Sequence, residues 1–318
     1  MIYVAGSAGV SVFTSDLLAV GPITPVDELL YLCPDPTGRW LFGVSGVGSG
    51  LAQAWRIDGH RIRAVGEPVG TGGTEPCHCV LGRDGRHLVV TNYGSGSVAV
   101  LPVGPDGSLG AATVLERSGS PGPDAERQDG AHPHQSVLGP GDEVLVTDLG
   151  ADQVISYRSI GGRLVDPVVS SAPAGSGPRH LVLLAGDRVA VSGELDSSLL
   201  LARRDGRRLV DWRSVPATER PGADRNYPSD LLVSADGTRL YLANRGADTV
   251  AVFTVDGTRV EEVDCGAWPR QMTRSGARLL VAATRADRVE VLDTSTRRIV
   301  GDLPVTGAIC VATTEGQG

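Results

Sequence analysis

Residues 177–193 read GPRHLVLLAGDRVAVSG: a leading proline, an apolar strand, a turn with glycine and a second apolar strand. Phrases of this kind occur five times in the chain. The copies begin at Glu75-Pro76-Cys77-His78, His132-Pro133-His134-Gln135, Gly177-Pro178-Arg179-His180, Tyr227-Pro228-Ser229-Asp230 and Trp268-Pro269-Arg270-Gln271. The residue after the proline is Cys, His, Arg, Ser and Arg in turn, and a purely structural position has no need of imidazole and guanidinium groups. We therefore expect this position to belong to a functional site.

The spacing of the repeat indicates a β-propeller. Its second strands are Leu41–Ser45, Leu88–Asn92, Val144–Asp148, Val189–Gly193, Leu240–Asn244 and Leu279–Ala283, and their ends lie 39 to 56 residues apart. Most of them lead through a small or polar turn into a third strand. Several short strands within a period of roughly 40–50 residues are typical of propeller blades.

The two ends of the chain supply one further blade. The N-terminus opens in a strand at Ile2–Ala5, and the chain closes with a strand at Ala308–Ala312. We expect the C-terminal segment to form the inner strand and the N-terminal segment the three outer strands, which removes a free sheet edge. The fold class is thus an all-β, seven-bladed β-propeller, with residues 1–318 as a single domain. Residues 117–130 are expected to form a long loop between two blades.

The amino-acid composition limits the classes of partner and of chemistry that the protein can have. The net charge is −8, which argues against a nucleic-acid or acidic-membrane partner. A small anionic substrate is expected instead, because the candidate site described below contains arginines. The chain has no lysine, so Schiff-base chemistry is excluded. We see neither a signal peptide nor an apolar run of about 18 residues, and five cysteines suggest free thiols. We expect a cytoplasmic protein that is a monomer or a weak homodimer.

The residue types of Cys77-His78-Cys79 suggest a metal site, but their spacing argues against one. On a strand, alternation places Cys77 and Cys79 on one face and His78 on the other. Structural zinc sites prefer paired cysteines separated by two to four residues. We therefore expect no metal and no cofactor.

Strand direction predicts where chemistry takes place. The start of a first strand and the end of the antiparallel second strand lie on the same face. Seven residues are therefore expected at one mouth of the channel: His132, His134, Arg179, His180, Glu194, Arg245 and Arg270. The predicted catalytic residues are His132, His134, Arg179 and Glu194; the predicted substrate-binding residues are Arg245, Arg270, His78 and His180. Histidine can act as an acid or base near neutral pH, and arginines can hold an acid group and a developing oxyanion.

Several of these residues have a structural alternative. Arg179 could be a channel arginine paired with Glu194. One of His132 and His134 could be only a turn residue, and the sequence leaves open which of the two acts. Glu194 could orient a histidine or an arginine, or share in proton transfer.

At these residues the chain resembles the lactonase family of seven-bladed propellers, which includes the cycloisomerase-type 6-phosphogluconolactonases and the 3-carboxymuconate lactonizing enzyme. The resemblance rests on Gly130–His134, Val146–Asp152, Ala125–Gln128, Asn92–Val98, Gly175–His180, Glu194–Ser197, Asn226–Ser229, Ser234–Gly237, Asn244–Gly246 and Trp268–Arg270. It implies a His/Arg/Glu site on one propeller face, at His132 or His134, Arg179, Glu194, and Arg245 or Arg270. The family is not known for needing a metal.

The chain departs from the family in places that bear on the substrate. Gly193 stands where the family usually has asparagine, and Asp27–Tyr31 replaces the proline-rich start of an inner strand. The N-terminal strands are short, with only Gly6–Gly9 between two of them. We therefore expect the mouth near the first and seventh blades to be remodelled.

Three functions fit the sequence. The first is a lactonase that hydrolyses an anionic sugar or organic-acid lactone, similar to 6-phosphogluconolactonase. The second is a cycloisomerase, a lyase or a specialised-metabolism enzyme that uses the same site on a carboxylated substrate. The third is a non-catalytic binding module, which the low aromatic content of 4% disfavours because binding surfaces rely on aromatic residues.

Overall fold

A computed structural model describes residues 1–220 and 225–314. The chain forms six four-stranded sheets and one three-stranded sheet, which together make a seven-bladed β-propeller, as predicted. The first unit, Met1–Leu115 with the chain from Arg270 onward, contains four blades, and the second unit, Glu116–Pro269, contains three. No helix in the described residues is long and apolar enough to cross a membrane. The single domain over 1–318 stays a prediction.

The strands up to the end of the third sheet are β1 (Ile2–Gly6), β2 (Gly9–Phe13), β3 (Leu29–Pro34), β4 (Trp40–Ser45), β5 (Leu51–Asp58), β6 (Arg61–Gly70), β7 (Pro76–Leu81), β8 (His87–Asn92), β9 (Ser97–Pro102) and β10 (Thr113–Glu116). The next three sheets hold β11 (Pro133–Leu138), β12 (Glu143–Asp148), β13 (Gln153–Ile160), β14 (Arg163–Ser171), β15 (Pro178–Leu183), β16 (Arg188–Gly193), β17 (Ser198–Asp205), β18 (Arg208–Pro216), β19 (Tyr227–Val233), β20 (Arg239–Arg245), β21 (Thr249–Thr254) and β22 (Arg259–Asp264). The remaining strands are β23 (Pro269–Ser275), β24 (Arg278–Ala283), β25 (Arg288–Asp293), β26 (Arg298–Pro304) and β27 (Cys310–Thr313), with a short 3-10 turn at Thr284–Ala286.

The closing blade forms as predicted in its inner part and differs in its outer part. Strand β27 pairs antiparallel with β1, with Val4 opposite Val311, and β2 completes a three-stranded sheet. The expected third outer strand is reduced to isolated bridges, of which one joins Val10 to Thr24. Pro22 and Pro25 interrupt this segment, and a proline has no N–H for a strand ladder. The expected loop at 117–130 contains no strand.

The blades pack through apolar side chains that alternate on the inner three strands. In the second unit, Leu145, Leu181 and Leu200 belong to one buried cluster, and Leu231 and Phe253 belong to another. Outer strands such as β14 and β18 are largely exposed. The polar residues at the strand ends are therefore carried on a rigid apolar framework.

A β-bulge interrupts the pairing of inner strands at their start. The register shifts between Pro133 and Gln135, and again between Pro178 and Leu181. A bulge leaves an N–H without its ladder partner and turns side chains away from strict alternation. Such a shift at Cys77, between Pro76 and His78, interrupts the alternation that we expected there.

Hydroxyl groups on the second strands bond to the backbone at these bulges. The Thr147 hydroxyl accepts the Gln135 N–H at 3.0 Å and donates to the Arg179 carbonyl of the next blade at 2.6 Å. In the following blade, the Ser192 hydroxyl accepts the His180 N–H at 2.9 Å and donates to the Ser229 carbonyl at 3.0 Å. The residues after the prolines are thereby fixed between neighbouring blades.

Candidate functional site

Glu194 is the centre of the candidate site, which lies within the second unit. It follows β16 directly, and its N–H donates to the Gly177 carbonyl at 2.9 Å. Its buried carboxylate contacts three guanidinium groups: Arg127 Nη2 lies 2.8 Å from Oε1, and Arg179 Nε and Arg245 Nη2 each lie 2.7 Å from Oε2. Both oxygens of one carboxylate are therefore engaged by arginine.

The three arginines come from three different parts of the chain. Arg179 lies at the bulge of β15, and Arg245 is the last residue of β20. Arg127 lies on the loop before β11. The side chains of Arg179 and Arg245 are buried, whereas that of Arg127 is 34% exposed. Together with Glu194 they carry a formal charge of +2, which favours an anionic ligand.

The pKa of Glu194 reflects this surrounding. Burial alone would raise it, but the charges of Arg245, Arg179 and Arg127 outweigh burial and lower the pKa from 4.5 to about 2. The carboxylate is thus ionised at neutral pH. It is suited to hold the arginines in place and unsuited to carry a proton during turnover.

The loop that carries Arg127 is fixed at both sides of this residue. Gln128 Nε2 donates to the Leu149 carbonyl at 2.9 Å. Asp124 forms an ion pair with Arg225 at 2.9 Å. A segment without regular secondary structure therefore positions the most exposed arginine of the cluster.

His180 forms a buried pair with an aspartate from the next blade. Its Nδ1 lies 2.6 Å from Asp230 Oδ1, and both side chains are about 5% exposed or less. Burial lowers the pKa of His180; the Asp230 charge opposes this, and Arg179 and Arg245 add to the lowering. The imidazole is therefore neutral at neutral pH, with its proton on Nδ1 toward the carboxylate.

His134 lies beside this pair. Its ring is edge-on to the ring of His180, with centroids 5.3 Å apart. His134 follows Pro133, the first residue of β11, and it is 6% exposed. The histidine pair and the arginine cluster adjoin at β15, which carries both Arg179 and His180, and the charges of Arg179 and Arg245 act on His180.

His132 takes part in a different pair. Its Nε2 lies 2.6 Å from Asp129 Oδ1, and its backbone N–H donates to Asp148 Oδ1 at 2.8 Å. The hydrogen bond from His132 lowers the pKa of Asp129. This aspartate is exposed, so His132 is held at the surface of the loop.

Two predicted substrate-binding residues belong to the first unit. The ring of His78 lies 4.3 Å from that of Tyr31, and Arg270 is the second residue of β23. Their predicted roles stay predictions. Among the described residues, no group of three His, Cys, Asp or Glu side chains is arranged to hold a metal ion.

Two broad surface cavities also belong to the first unit. Their volumes are about 620 and 600 Å³, and Arg39 and Trp40 line both. Trp40 is the first residue of β4, which is the second strand of its blade. The predicted mouth lies where the second strands end, so these cavities lie at the opposite end of this strand. Neither is lined by a predicted site residue.

Arg127 and Asp230 were not among the predicted site residues. The sequence contained a clue to Arg127, because Ala125–Gln128 is one of the motifs that resemble the family, but this residue lies outside the repeat. Asp230 lies at the repeat position of His180, two residues after the proline. Side chains at this position reach the next blade elsewhere too: Gln135 Oε1 accepts the Leu181 N–H at 2.6 Å.

The fold defines a seven-bladed propeller, and comparison with known proteins gives the family. The profile of the family described as "Lactonase, 7-bladed beta-propeller" matches residues 5–312, and the chain therefore belongs to this lactonase family. The predicted class of enzyme, a lactonase-like hydrolase, is confirmed at this level.

Named relatives agree with this assignment. The 6-phosphogluconolactonase of Bacillus subtilis (strain 168) is 32% identical over 208 residues, which cover 62% of this chain and 59% of that protein. The 6-phosphogluconolactonase of Erwinia tasmaniensis is 24% identical over 264 residues, covering 78% and 77%. The solved structure of the periplasmic gluconolactonase of Pseudomonas aeruginosa matches with a TM-score of 0.84 at 29% identity, over 98% of both chains.

Proposed function

We propose that this protein hydrolyses the lactone of an anionic sugar or organic acid, with 6-phosphogluconolactone as the leading substrate. The observation that carries the proposal is the arginine cluster around Glu194, whose four side chains together bear a charge of +2. The names of the relatives from Bacillus subtilis and Erwinia tasmaniensis support the same substrate.

The arginines divide two tasks between them. Arg127, the most exposed of the three, binds the anionic group of the substrate. Arg179 and Arg245 are buried and held by Glu194, so they stabilise the negative charge that develops on the lactone carbonyl oxygen. Because guanidinium groups fixed in advance need no rearrangement during the reaction, this geometry favours the transition state over the substrate.

His134 is the proposed general base. It takes a proton from water as the water oxygen attacks the carbonyl carbon, and the bond from this carbon to the ring oxygen then breaks. His134 then gives this proton to the ring oxygen, which becomes a hydroxyl, while the carbonyl carbon becomes that of a carboxylic acid. Because His180 is neutral and paired with Asp230, it does not repel the positive charge that the neighbouring His134 acquires when it takes the proton.

The test is hydrolysis of 6-phosphogluconolactone, corrected for spontaneous ring opening, by the wild type, His134→Ala and His132→Ala. We expect turnover by the wild type, a loss of about 100-fold or more in His134→Ala, and a smaller change in His132→Ala. If His132→Ala alone abolishes turnover, the base is His132. Absence of turnover by the folded wild type would overturn the proposed substrate, and carboxylated lactones and dienes would then be screened.

An isomerase or lyase reaction would use the same cluster to hold carboxylates. Reaction in ¹⁸O-labelled water separates the two, since only hydrolysis places the label in the product carboxylate. The cytoplasmic location, the monomeric or weakly dimeric state and the absence of a cofactor, a nucleic-acid partner and a membrane partner remain proposals from the sequence.

A further inference from the structure

Two aromatic rings flank the arginine cluster. The rings of Tyr227 and Trp268 lie 6.1 Å apart at 55°. The guanidinium carbon of Arg245 lies 5.9 Å from the Tyr227 ring centroid and 5.5 Å from that of Trp268. Both residues are half-buried, so neither is enclosed in the core. The Tyr227 ring is also faced by Arg225, whose guanidinium carbon lies 5.3 Å from the ring centroid.

The backbone conformation at Trp268 does not favour a large side chain. Its φ is +64°, and three other residues that directly precede inner strands, Glu28, Glu75 and Gly177, also have a positive φ. Glycine adopts this conformation without strain, as at Gly177, whereas a bulky side chain there is unfavourable. The Trp268 N–H donates to Asp248 Oδ1 at 2.9 Å, which fixes the conformation.

Aromatic residues are scarce in this chain, at 4% of the sequence. Most large rings, such as Trp55 and Phe253, are buried in the core. Tyr227 and Trp268 instead lie beside Arg245, and Trp268 does so at a position where the backbone disfavours a bulky side chain. Unfavourable backbone conformations that persist in a fold are found preferentially where a ligand is held.

We propose that Tyr227 and Trp268 form an aromatic platform that stacks against the C–H face of a six-membered sugar ring, and so selects cyclic sugar acids over open-chain anions. This inference rests on the proposed function and names the substrate class of that site. The electron-rich faces of aromatic rings attract the polarised C–H bonds of a sugar. Ring opening destroys the flat C–H face, so hydrolysis itself weakens the contact and favours release of the product.

The test measures binding by calorimetry, without turnover, for the wild type, Trp268→Leu and the control Trp212→Leu, a tryptophan on β18. The ligands are glucose 6-phosphate, which has a ring but no lactone, 6-phosphogluconate, which is open, and inorganic phosphate. We expect Trp268→Leu to weaken the affinity for glucose 6-phosphate about three- to tenfold, and to change the affinities for the other two ligands less than twofold. Trp212→Leu should leave all three unchanged.

The alternative role of Trp268 is to position Arg245. Equal weakening of the binding of all three ligands would establish that role and overturn the platform. The platform would also be overturned if Trp268→Leu changed no affinity, or if the wild type did not bind glucose 6-phosphate. If Trp268→Leu does not fold, Tyr227→Leu and Trp268→Phe give the same comparison. Selective loss of ring binding in a protein without lactonase activity would keep the platform and reject the proposed reaction.

Discussion

One carboxylate sets the chemistry available at the candidate site. Glu194 is ionised because three arginines outweigh the effect of its burial, and these arginines are held in turn by the same two oxygen atoms. Removing a partner from such a buried pair leaves uncompensated charge, at a cost of about 3–5 kcal/mol. Glu194 thus links the stability of the fold to the arrangement of the three arginines.

This linkage predicts a pH-dependent effect of Glu194→Gln. The pKa of Glu194 in the folded protein is about 2, below its ordinary 4.5, so the ionised carboxylate stabilises the fold above about pH 4.5. That contribution, on the order of 3 kcal/mol, is lost as the pH falls toward 2. We expect the difference in unfolding free energy between the wild type and the variant to shrink over this range in denaturant titrations.

Glu219→Gln is the matched control, because the Glu219 side chain is 77% exposed and 3.6 Å from Arg259. It should change the unfolding free energy by less than about 1 kcal/mol at any pH. A difference between wild type and Glu194→Gln that stays constant from pH 7 to pH 2 would show that the charge of Glu194 is not what stabilises the cluster.

At the level of single residues, the repeat predicted part of the site. Arg179, Glu194 and Arg245 lie at strand ends with fixed register, so their convergence follows from spacing alone. Arg127 could not be placed, because its loop has no period and its path depends on tertiary contacts such as that of Gln128 with the Leu149 carbonyl. The burial of His180 depends on its contact with Asp230, which no local pattern encodes.

Among the elements, the loop at 117–132 carries Arg127 of the candidate site without regular secondary structure. Its ion pair between Asp124 and Arg225 is partly exposed, at 17% and 45% for the two side chains. Exposed pairs contribute up to about 1 kcal/mol, so this contact adjusts the position of Arg127 rather than the stability of the fold.

We expect Asp124→Asn to raise the KM for the lactone about two- to fivefold and to leave kcat nearly unchanged. The asparagine keeps an oxygen that can accept the N–H of Glu126 but lacks the charge that attracts Arg225. Asp142→Asn, which removes the exposed pair with Arg158 in the same unit, is the control for steady-state kinetics. An equal change in KM for both variants would mean that the loop contact has no special role.

The inner strands depend on hydroxyl groups that their neighbours supply. Thr147→Val keeps the shape of the side chain but leaves the Gln135 N–H and the Arg179 carbonyl without this partner. We expect a loss of about 1–3 kcal/mol in unfolding free energy and a several-fold loss of turnover, since Arg179 is carried by this backbone. Thr147→Ser retains the hydroxyl and should behave as the wild type; if both variants lose equally, the hydroxyl is not the cause.

At the scale of the whole molecule, the sequence predicted the seven blades and the pairing of the chain ends, because each depends on strand periodicity. It overstated the outer part of the closing blade, where Pro22 and Pro25 reduce a strand to isolated bridges. The effect of a proline on a strand is local, whereas a bridge such as Val10 to Thr24 depends on how the intervening residues turn back. Periodicity alone does not carry that information.

The closing strand should be far more sensitive to a charge than an outer edge. Val311 is buried in β27, so Val311→Asp should lower soluble yield and reduce stability by about 4 kcal/mol or more. Val300 lies on the outer strand β26 and is 55% exposed, so Val300→Asp should change the melting temperature by only a few degrees. Thermal unfolding of both variants checks this, and similar losses would argue against a special role for the closure.

The pairing of β1 with β27 also has a consequence for biosynthesis. The ribosome delivers β1 first and its partner about 300 residues later, an interval of about 15–60 s at ~5–20 residues per second. Throughout that time the nascent chain presents a strand edge that it cannot yet cover. The closing blade is therefore completed only after β27 has been synthesised, and chaperones that shield exposed edges have their main opportunity to act before that moment.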